Sequence, residues 1–252
     1  MTYNLNGKVA LVTGASRGLG AAIARKLAAC GARVAVNYFG SPDLAERVVA
    51  DILKRGGKAE ALKADVRDER QVAELVEQTQ KKLGGPIDIL VINATGPQPF
   101  NRLEDLSWRT CLDELEFFVK SPLLLVQAVV GKMKERRYGR IINIGSEVFE
   151  RGVAEFSNYV SAKGAQLGLT RSWAMELAPW QITVNLVAPG WIPTERHIND
   201  SQEAKDAYAS AVPMKHMGDH DDVGAAVAFL ASDEAKFVTG QKLAVNGGNT
   251  LA

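Results

Sequence analysis

The amino-acid sequence predicts an α/β fold: a single doubly wound domain in which a seven-stranded parallel sheet carries helices on both faces. Three observations predict it. Short runs of Val, Ile, Leu and Ala alternate along the chain with longer amphipathic segments, the order that repeated β-α-β units give. The runs are nearly continuous in apolar residues, as in strands buried on both sides of a parallel sheet. A glycine-rich turn joins the first run to the first amphipathic segment, which is the dinucleotide-binding form of such a sheet, the Rossmann fold.

The expected elements follow in order. The first strand, 9–12, ends at Gly14, and the first helix, 18–30, has Ala22, Ile23, Ala24, Leu27 and Ala28 on one face at three- and four-residue spacing. Strand 33–37, helix 44–55, strand 59–63, helix 69–83 and strand 87–92 complete the first half. One long helix at 108–136, strand 140–144, helix 158–178, strand 182–187, helix 221–231 and strand 242–245 form the second. No Ser/Pro-rich linker divides the chain, so residues 1–252 read as one domain. The least regular stretch, 190–218, has no strand candidate and reads as a lid over a site.

Hydrophobic residues make up 46% and charged residues 23%, enough for a sizeable core. The net charge of +1 gives no global field to draw nucleic acid or an anionic membrane. Cys30 and Cys111 lack partners at metal-ligand spacing and read as reduced thiols, with no metal site. No stretch has the apolar length of a membrane span or a signal peptide. The expectation is a cytoplasmic protein without membrane or nucleic-acid partners.

After the first strand comes Thr13-Gly14-Ala15-Ser16-Arg17-Gly18-Leu19-Gly20. Gly14 permits the tight turn, Gly18 lets backbone approach a pyrophosphate, and Gly20 lets helix and strand pack closely. The helix N-terminus offers free N–H groups to the phosphates. The second strand ends in Asn37-Tyr38-Phe39-Gly40-Ser41, with no acid to repel a 2′-phosphate. Arg17 can pair with that phosphate, and Asn37 and Ser41 can hydrogen-bond it, so NADP(H) is favoured over NAD(H); the plainer reading of Arg17 is a solvated loop charge. Asp65, before Val66, either accepts from the adenine amino group or caps the next helix. Asn93-Ala94-Thr95 ends the fourth strand, where small residues leave room for a ribose.

The fifth strand leads to Ser146; thirteen residues on comes Tyr159, then Lys163. Positions four apart share a helix face, so Tyr159 and Lys163 can enter one pocket. An ammonium beside a tyrosine lowers the phenol pKa from about 10 and makes it a usable proton donor or acceptor. Ser146 can hydrogen-bond a substrate oxygen. With a nicotinamide to carry hydride, the set fits interconversion of a carbonyl and a secondary alcohol.

With these residues the sequence resembles the short-chain dehydrogenase/reductase family along essentially its whole length. The glycine loop, Ser146, Tyr159 with Lys163, Asn185 through Pro189-Gly190 to Thr194, and Val238-Thr239-Gly240-Gln241 before Val245-Asn246-Gly247-Gly248 fall in family order. Within the family it is similar to 3-oxoacyl-acyl carrier protein reductases and related NADPH-dependent carbonyl reductases. The resemblance implies that Lys163 also binds the nicotinamide ribose, that Asn93 lies beside the cofactor, and that Ile192 and Thr194 hold its carboxamide end. It implies a homotetramer built on the two long helices and a small-molecule or acyl-thioester substrate.

Two positions depart from the family. Ile92-Asn93-Ala94-Thr95 stands where Asn-Asn-Ala-Gly is usual. The asparagine that holds a relay water in the next long helix is missing: its place falls at Phe118 counting from Gly139, or at Leu115 counting from Trp108.

The substrate face is expected from residues 147–155, 98–102 and 191–217, whose Arg151 and Arg196 can grip a carboxylate or phosphate or stay exposed, and whose His197 and His216 can serve as acid–base groups or stay solvated. Two alternatives remain: an alcohol or sugar dehydrogenase working oxidatively, and a nucleotide-binding protein with weakened catalysis.

Overall fold

The computed structural model describes residues 3–251; Met1, Thr2 and Ala252, the ends of the expected 1–252 domain, lie outside them. The strands are β1 (Val9–Val12), β2 (Arg33–Tyr38), β3 (Lys58–Lys63), β4 (Ile89–Ile92), β5 (Gly139–Ile144), β6 (Ile182–Pro189) and β7 (Lys242–Val245). They form one parallel sheet in the order β3-β2-β1-β4-β5-β6-β7. The helices are α1 (Gly18–Ala29), α2 (Pro42–Lys54), α3 (Glu69–Leu83), α4 (Trp108–Leu115), α5 (Ser121–Arg136), α6 (Val148–Arg151), α7 (Ser157–Leu177), α8 (Gln202–Ala211) and α9 (His220–Ala231).

Successive strand residues point to opposite faces, and the sheet sorts its side chains accordingly. Ala10, Val12, Val34 and Val36 pack under α1, α2 and α9, with Ile23, Leu27, Val48 and Val227. Val9, Leu11, Leu90 and Ile92 pack under α3, α5 and α7, with Leu75, Leu125, Met133 and Ala174. Both faces are covered, so the central strands need no polar face. The edge strand β3 reads Lys-Ala-Glu-Ala-Leu-Lys and keeps both lysines in water, which discourages edge pairing. Among the described residues no helix is long and apolar enough to cross a membrane.

The chain winds from β1 outward to β3, then returns to place β4 on the other side of β1. The loops after β1 and β4 therefore diverge and open a crevice at the carboxyl edge, where such sheets bind ligands.

Several boundaries differ from expectation. Strand β4 begins at Ile89 rather than 87, because Asp88 turns its carboxylate to the Val9 N–H (2.8 Å) and to Arg136 (2.5 Å). The single helix expected at 108–136 is α4 and α5 joined by a π-helical turn, Glu116–Lys120. Pro122 explains the break, since it has no N–H for the Phe118 carbonyl and its ring crowds that oxygen. The stretch 190–218 holds a helix, α8, that was not anticipated; Ser201 caps it by accepting from the Ala204 N–H (3.1 Å).

Candidate active site

The crevice is built around Asn93, at the end of β4. Its side-chain amide donates to the carbonyls of Thr13 (2.9 Å) and Gly14 (3.1 Å), and the Thr13 hydroxyl accepts from the N–H groups of Asn93 (2.9 Å) and Ala94 (3.1 Å). These bonds fix the loops after β1 and β4 against each other. A Cβ on Gly20 would strike the Gly14 carbonyl and come within 2.5 Å of Asn93 Nδ2 and 2.9 Å of Ala15 Cα. A Cβ on Gly14, where φ is +61°, would lie 2.8 Å from Ala94 Cα. Glycine at both positions is a packing requirement. Gly18, with φ +54°, instead lies against the segment after β6, where a Cβ would make ordinary van der Waals contact with Thr194 and Glu195 at 3.5 Å. Arg17 sits at the N-cap of α1, exposed, with no acidic residue in the first turn; Ser16 and Leu19 flank it in the same turn.

Asn37 departs from the expectation that it meets a 2′-phosphate. It is buried, and its side chain is fully used. Oδ1 accepts from the Gly14 N–H (3.2 Å), and Nδ2 donates to the carbonyls of Leu62 (3.3 Å) and Ala64 (3.2 Å). Because β2 neighbours β1 in register, the end of β2 points at the turn leaving β1 rather than at solvent. Asn37 thus braces the glycine loop. Asn37→Ala is expected to cost about 1–3 kcal/mol of stability and to weaken NADPH and NADH equally; titration with both checks this, and a loss confined to NADPH would restore direct phosphate contact.

Tyr38 and Ser41 remain at the crevice rim, Ser41 preceding α2. Asp65 does not cap α3, because Asp68 does so by accepting from the Gln71 N–H (2.9 Å). Asp65 instead pairs with Arg67 (2.7 Å), whose hydrogen bonds hold its carboxyl below the usual range. The Val66 and Ile192 side chains are buried in the core, leaving backbone as what they can offer a ligand. Thr95 Oγ1 accepts from Gln98 Nε2 (3.0 Å). Pro189 ends β6, and Gly190 donates its N–H to Val245 (3.0 Å). Thr194 caps a short turn through His197 Nδ1 (3.0 Å), which also accepts the Thr194 N–H (3.1 Å). His197 is therefore a half-buried cap rather than a solvated loop group, and burial lowers its pKa.

On the other side of the crevice, the structure brings Ser146, Tyr159 and Lys163 together. Ser146 lies just past β5, and α7 presents Tyr159 and Lys163 one turn apart. Tyr159 is stacked on Phe156 (centroids 4.8 Å) and edge-on to Phe118 (5.4 Å). Burial pushes its phenol up to about 12; the Ser146 hydroxyl, Arg196 and the Gln98 amide pull the other way, and Glu114 adds to the rise. The sequence argument expected the lysine to lower this value. Here desolvation by burial is the largest effect, so the phenol is held protonated.

Lys163 is 4% exposed. Its ammonium donates to the Ile144 carbonyl (2.7 Å) and Gln166 Oε1 (3.2 Å), and stands 3.7 Å over the centre of the Phe118 ring. Burial lowers its pKa to about 7, against the pull of Glu114. Phe118, in the π turn, is the residue facing the lysine; Leu115 packs beside the same cluster. Both helix positions suggested by spacing thus line one pocket.

Sequence reasoning missed Glu114, Gln166 and Tyr208. Tyr208, on α8, donates to Glu147 Oε1 (2.7 Å) and accepts from the Trp191 N–H (2.8 Å), while Asn249 also donates to Glu147 (3.0 Å). Arg151 pairs with the same carboxylate through one guanidinium nitrogen (3.1 Å). Arg196 reaches from the segment after β6 to the Gly96 carbonyl (3.2 Å).

The family model described as Enoyl-(Acyl carrier protein) reductase matches residues 14–250. The 3-oxoacyl-acyl-carrier-protein reductase FabG of Staphylococcus epidermidis is 41% identical over 243 residues, 96% of this chain and 98% of the relative. Among solved structures, a variant short-chain dehydrogenase/reductase from Serratia marcescens is 36% identical with a TM-score of 0.91, covering 99% of this chain and all (100%) of that one. A 3-oxoacyl-acyl-carrier-protein reductase from Agrobacterium tumefaciens, solved with NADP bound, is 33% identical with a TM-score of 0.91, covering 98% of this chain and 96% of that one.

Proposed function

The chain belongs to the short-chain dehydrogenase/reductase family of oxidoreductases, and on that premise we propose that it reduces a 3-oxoacyl thioester or related ketone to the secondary alcohol with NADPH. The observation that carries this reading is the convergence of Ser146, Tyr159 and Lys163 beside the glycine loop at one sheet edge.

The crevice suits a dinucleotide. A Cβ at Gly18 would touch Thr194 and Glu195, so glycine there keeps the gap between the loop and the segment after β6 as wide as it can be for a diphosphate at the N-terminus of α1. Gly14, Ser16, Leu19 and Gly20 shape that turn; Asp65, Val66, Asn93, Ala94 and Thr95 line the nucleoside side; Pro189, Gly190, Ile192 and Thr194 line the nicotinamide side. Bound NADPH supplies hydride to the substrate carbon. Tyr159 gives its proton to the substrate oxygen, and burial, which raises its pKa, holds that proton on the phenol until then. Ser146 holds the same oxygen by hydrogen bond. Lys163 holds the ribose and returns a proton to the tyrosine. Residues 190–218 form the lid, tied down through Tyr208 and Glu147. Exposed Trp108, Leu123 and Met175 on the long helices support a homotetramer.

Arg17 is the cation among the residues that meet the 2′-phosphate in this reading, with Tyr38 and Ser41 the others. Arg17→Ala is expected to weaken NADPH about tenfold to a hundredfold, the worth of a charge-assisted bond, and to leave NADH nearly unchanged. Equal affinities before and after would make Arg17 a solvated charge. Reduction rates over a panel of 3-oxoacyl thioesters, diketones and quinones test the substrate class; tight NADPH binding without turnover on any would favour a nucleotide-binding protein.

A further inference from the structure

We infer that Phe118 is a positioning residue for the reaction: the face of its ring is the third partner of the Lys163 ammonium and holds that charge beside Tyr159. This rests on the proposed roles of Tyr159 and Lys163.

Lys163 is 4% exposed, and an ammonium has three N–H donors to place. Its Nζ donates to the Ile144 carbonyl (2.7 Å) and to Gln166 Oε1 (3.2 Å). The centre of the Phe118 ring then lies 3.7 Å from the same nitrogen. A cation over an aromatic face is attracted by the ring quadrupole, more strongly where water is excluded. Phe118 is itself 2% exposed, so the contact lies away from bulk water.

The same ring meets the proton donor. It lies at 82° to the Tyr159 ring with centroids 5.4 Å apart, and Lys163 Nζ is 5.5 Å from the Tyr159 ring centre. One side chain from the π turn, which packs against α7, therefore sets the places of both groups. The turn gives its two successive phenylalanines different cations. Arg67 lies 4.7 Å over the Phe117 ring, and Lys163 lies over Phe118. A Cβ on Gly96 would strike the Phe117 ring, so Phe117 faces the loop after β4 and cannot stand in for its neighbour.

The sign of the pH dependence follows. Burial disfavours the ammonium and lowers Lys163 to about 7. Glu114 on α4 favours the charged form, Arg196 after β6 opposes it, and Tyr159 faces it from α7. The ring face favours it too, so a weaker face lets the pKa fall further. In the proposed reaction the ammonium is the working form, present below its pKa and lost as pH rises through it. The kcat for reduction then falls on a limb near neutrality, and that limb moves to lower pH as the ring face weakens.

Fluorination tests this, because it drains the negative face of the ring and changes its size little. Phe118 is replaced in turn by mono-, di- and trifluorophenylalanine. In each protein the NMR resonance of the Lys163 ε-carbon, assigned by its loss in Lys163→Met, is followed against pH beside kcat. Midpoint and limb are expected to move together to lower pH, step by step with fluorine count. The whole series should span about one pH unit, a tenfold change in the charged fraction. The melting temperature should hold, and Phe118→Leu, apolar but without a ring face, should match the trifluoro protein. If midpoint and limb both stay fixed while Lys163→Met is inactive, the inference is overturned and the role of the lysine stands. If the midpoint moves and the limb does not, the ammonium is not the working form, and the inference falls with the proposed role of Lys163. A rate that follows melting temperature instead of fluorine count marks a packing role and overturns it as well.

Discussion

Replacing Tyr159 with phenylalanine is expected to lower kcat for carbonyl reduction about a thousandfold, within the range that a positioned proton donor contributes. The substitution removes one oxygen and leaves the ring in its stack with Phe156 and its edge contact with Phe118. Packing is therefore retained, and the melting temperature should hold or rise slightly, since a buried hydroxyl is removed along with its desolvation cost. NADPH affinity should stay close to that of the unaltered enzyme, because the glycine loop and Asn93 are untouched. Steady-state kinetics and NADPH titration on the same preparation separate these effects. Retention of more than about a tenth of the rate would place the proton donor elsewhere. Ser146 is the group closest in role, but its hydroxyl is too weak an acid to replace the tyrosine when it carries only a 3.4 Å contact from the Val148 N–H.

Gly20→Ala is expected to lower NADPH affinity about a hundredfold or more and to cost about 1–3 kcal/mol of stability, as overpacking does. The added methyl meets two backbone groups, the Gly14 carbonyl and Ala15 Cα, and the Asn93 amide. Backbone here cannot retreat, because β1 is buried on both faces and held in register with β2 and β4. The methyl displaces either the turn or Asn93, and Asn93 is what ties the two crevice loops together. Gly131→Ala on α5 is the control: nothing lies within 4 Å of the new Cβ, so alanine's better helix propensity should make it neutral or slightly stabilising. Thermal melts and NADPH titration of both variants decide the matter. Wild-type affinity in Gly20→Ala would mean that the loop tolerates a displaced turn.

The sheet was legible because its signal is local. Apolar runs such as Val9–Val12 and Ile89–Ile92 carry no polar alternation, and a glycine turn marks where the first one ends. The pairing of Tyr159 with Lys163 was legible for a similar reason, since helix geometry alone puts residues four apart on one face. What escaped depends on which way a side chain turns once elements pack. Asn37 has the chemistry to hold a phosphate, but the register of β2 on β1 aims it at Gly14. Asp65 and Asp68 are both acids before α3, and only the backbone path decides which of them caps it. Glu114 carries no local signal for burial, which follows from α4 lying on α7. The π turn was within reach, because Pro122 inside an expected helix removes a donor and predicts a break at the preceding turn.

The most direct test of the central claim is where the hydride and proton go. The protein should be incubated with a 3-oxoacyl thioester and NADPH carrying deuterium at both C4 positions of the nicotinamide, and the product examined by mass spectrometry. The account predicts a 3-hydroxyacyl thioester with one deuterium on the carbon that was the ketone, formed by the unaltered protein and lost in Tyr159→Phe. Unlabelled alcohol, or no alcohol despite saturating NADPH, would contradict it.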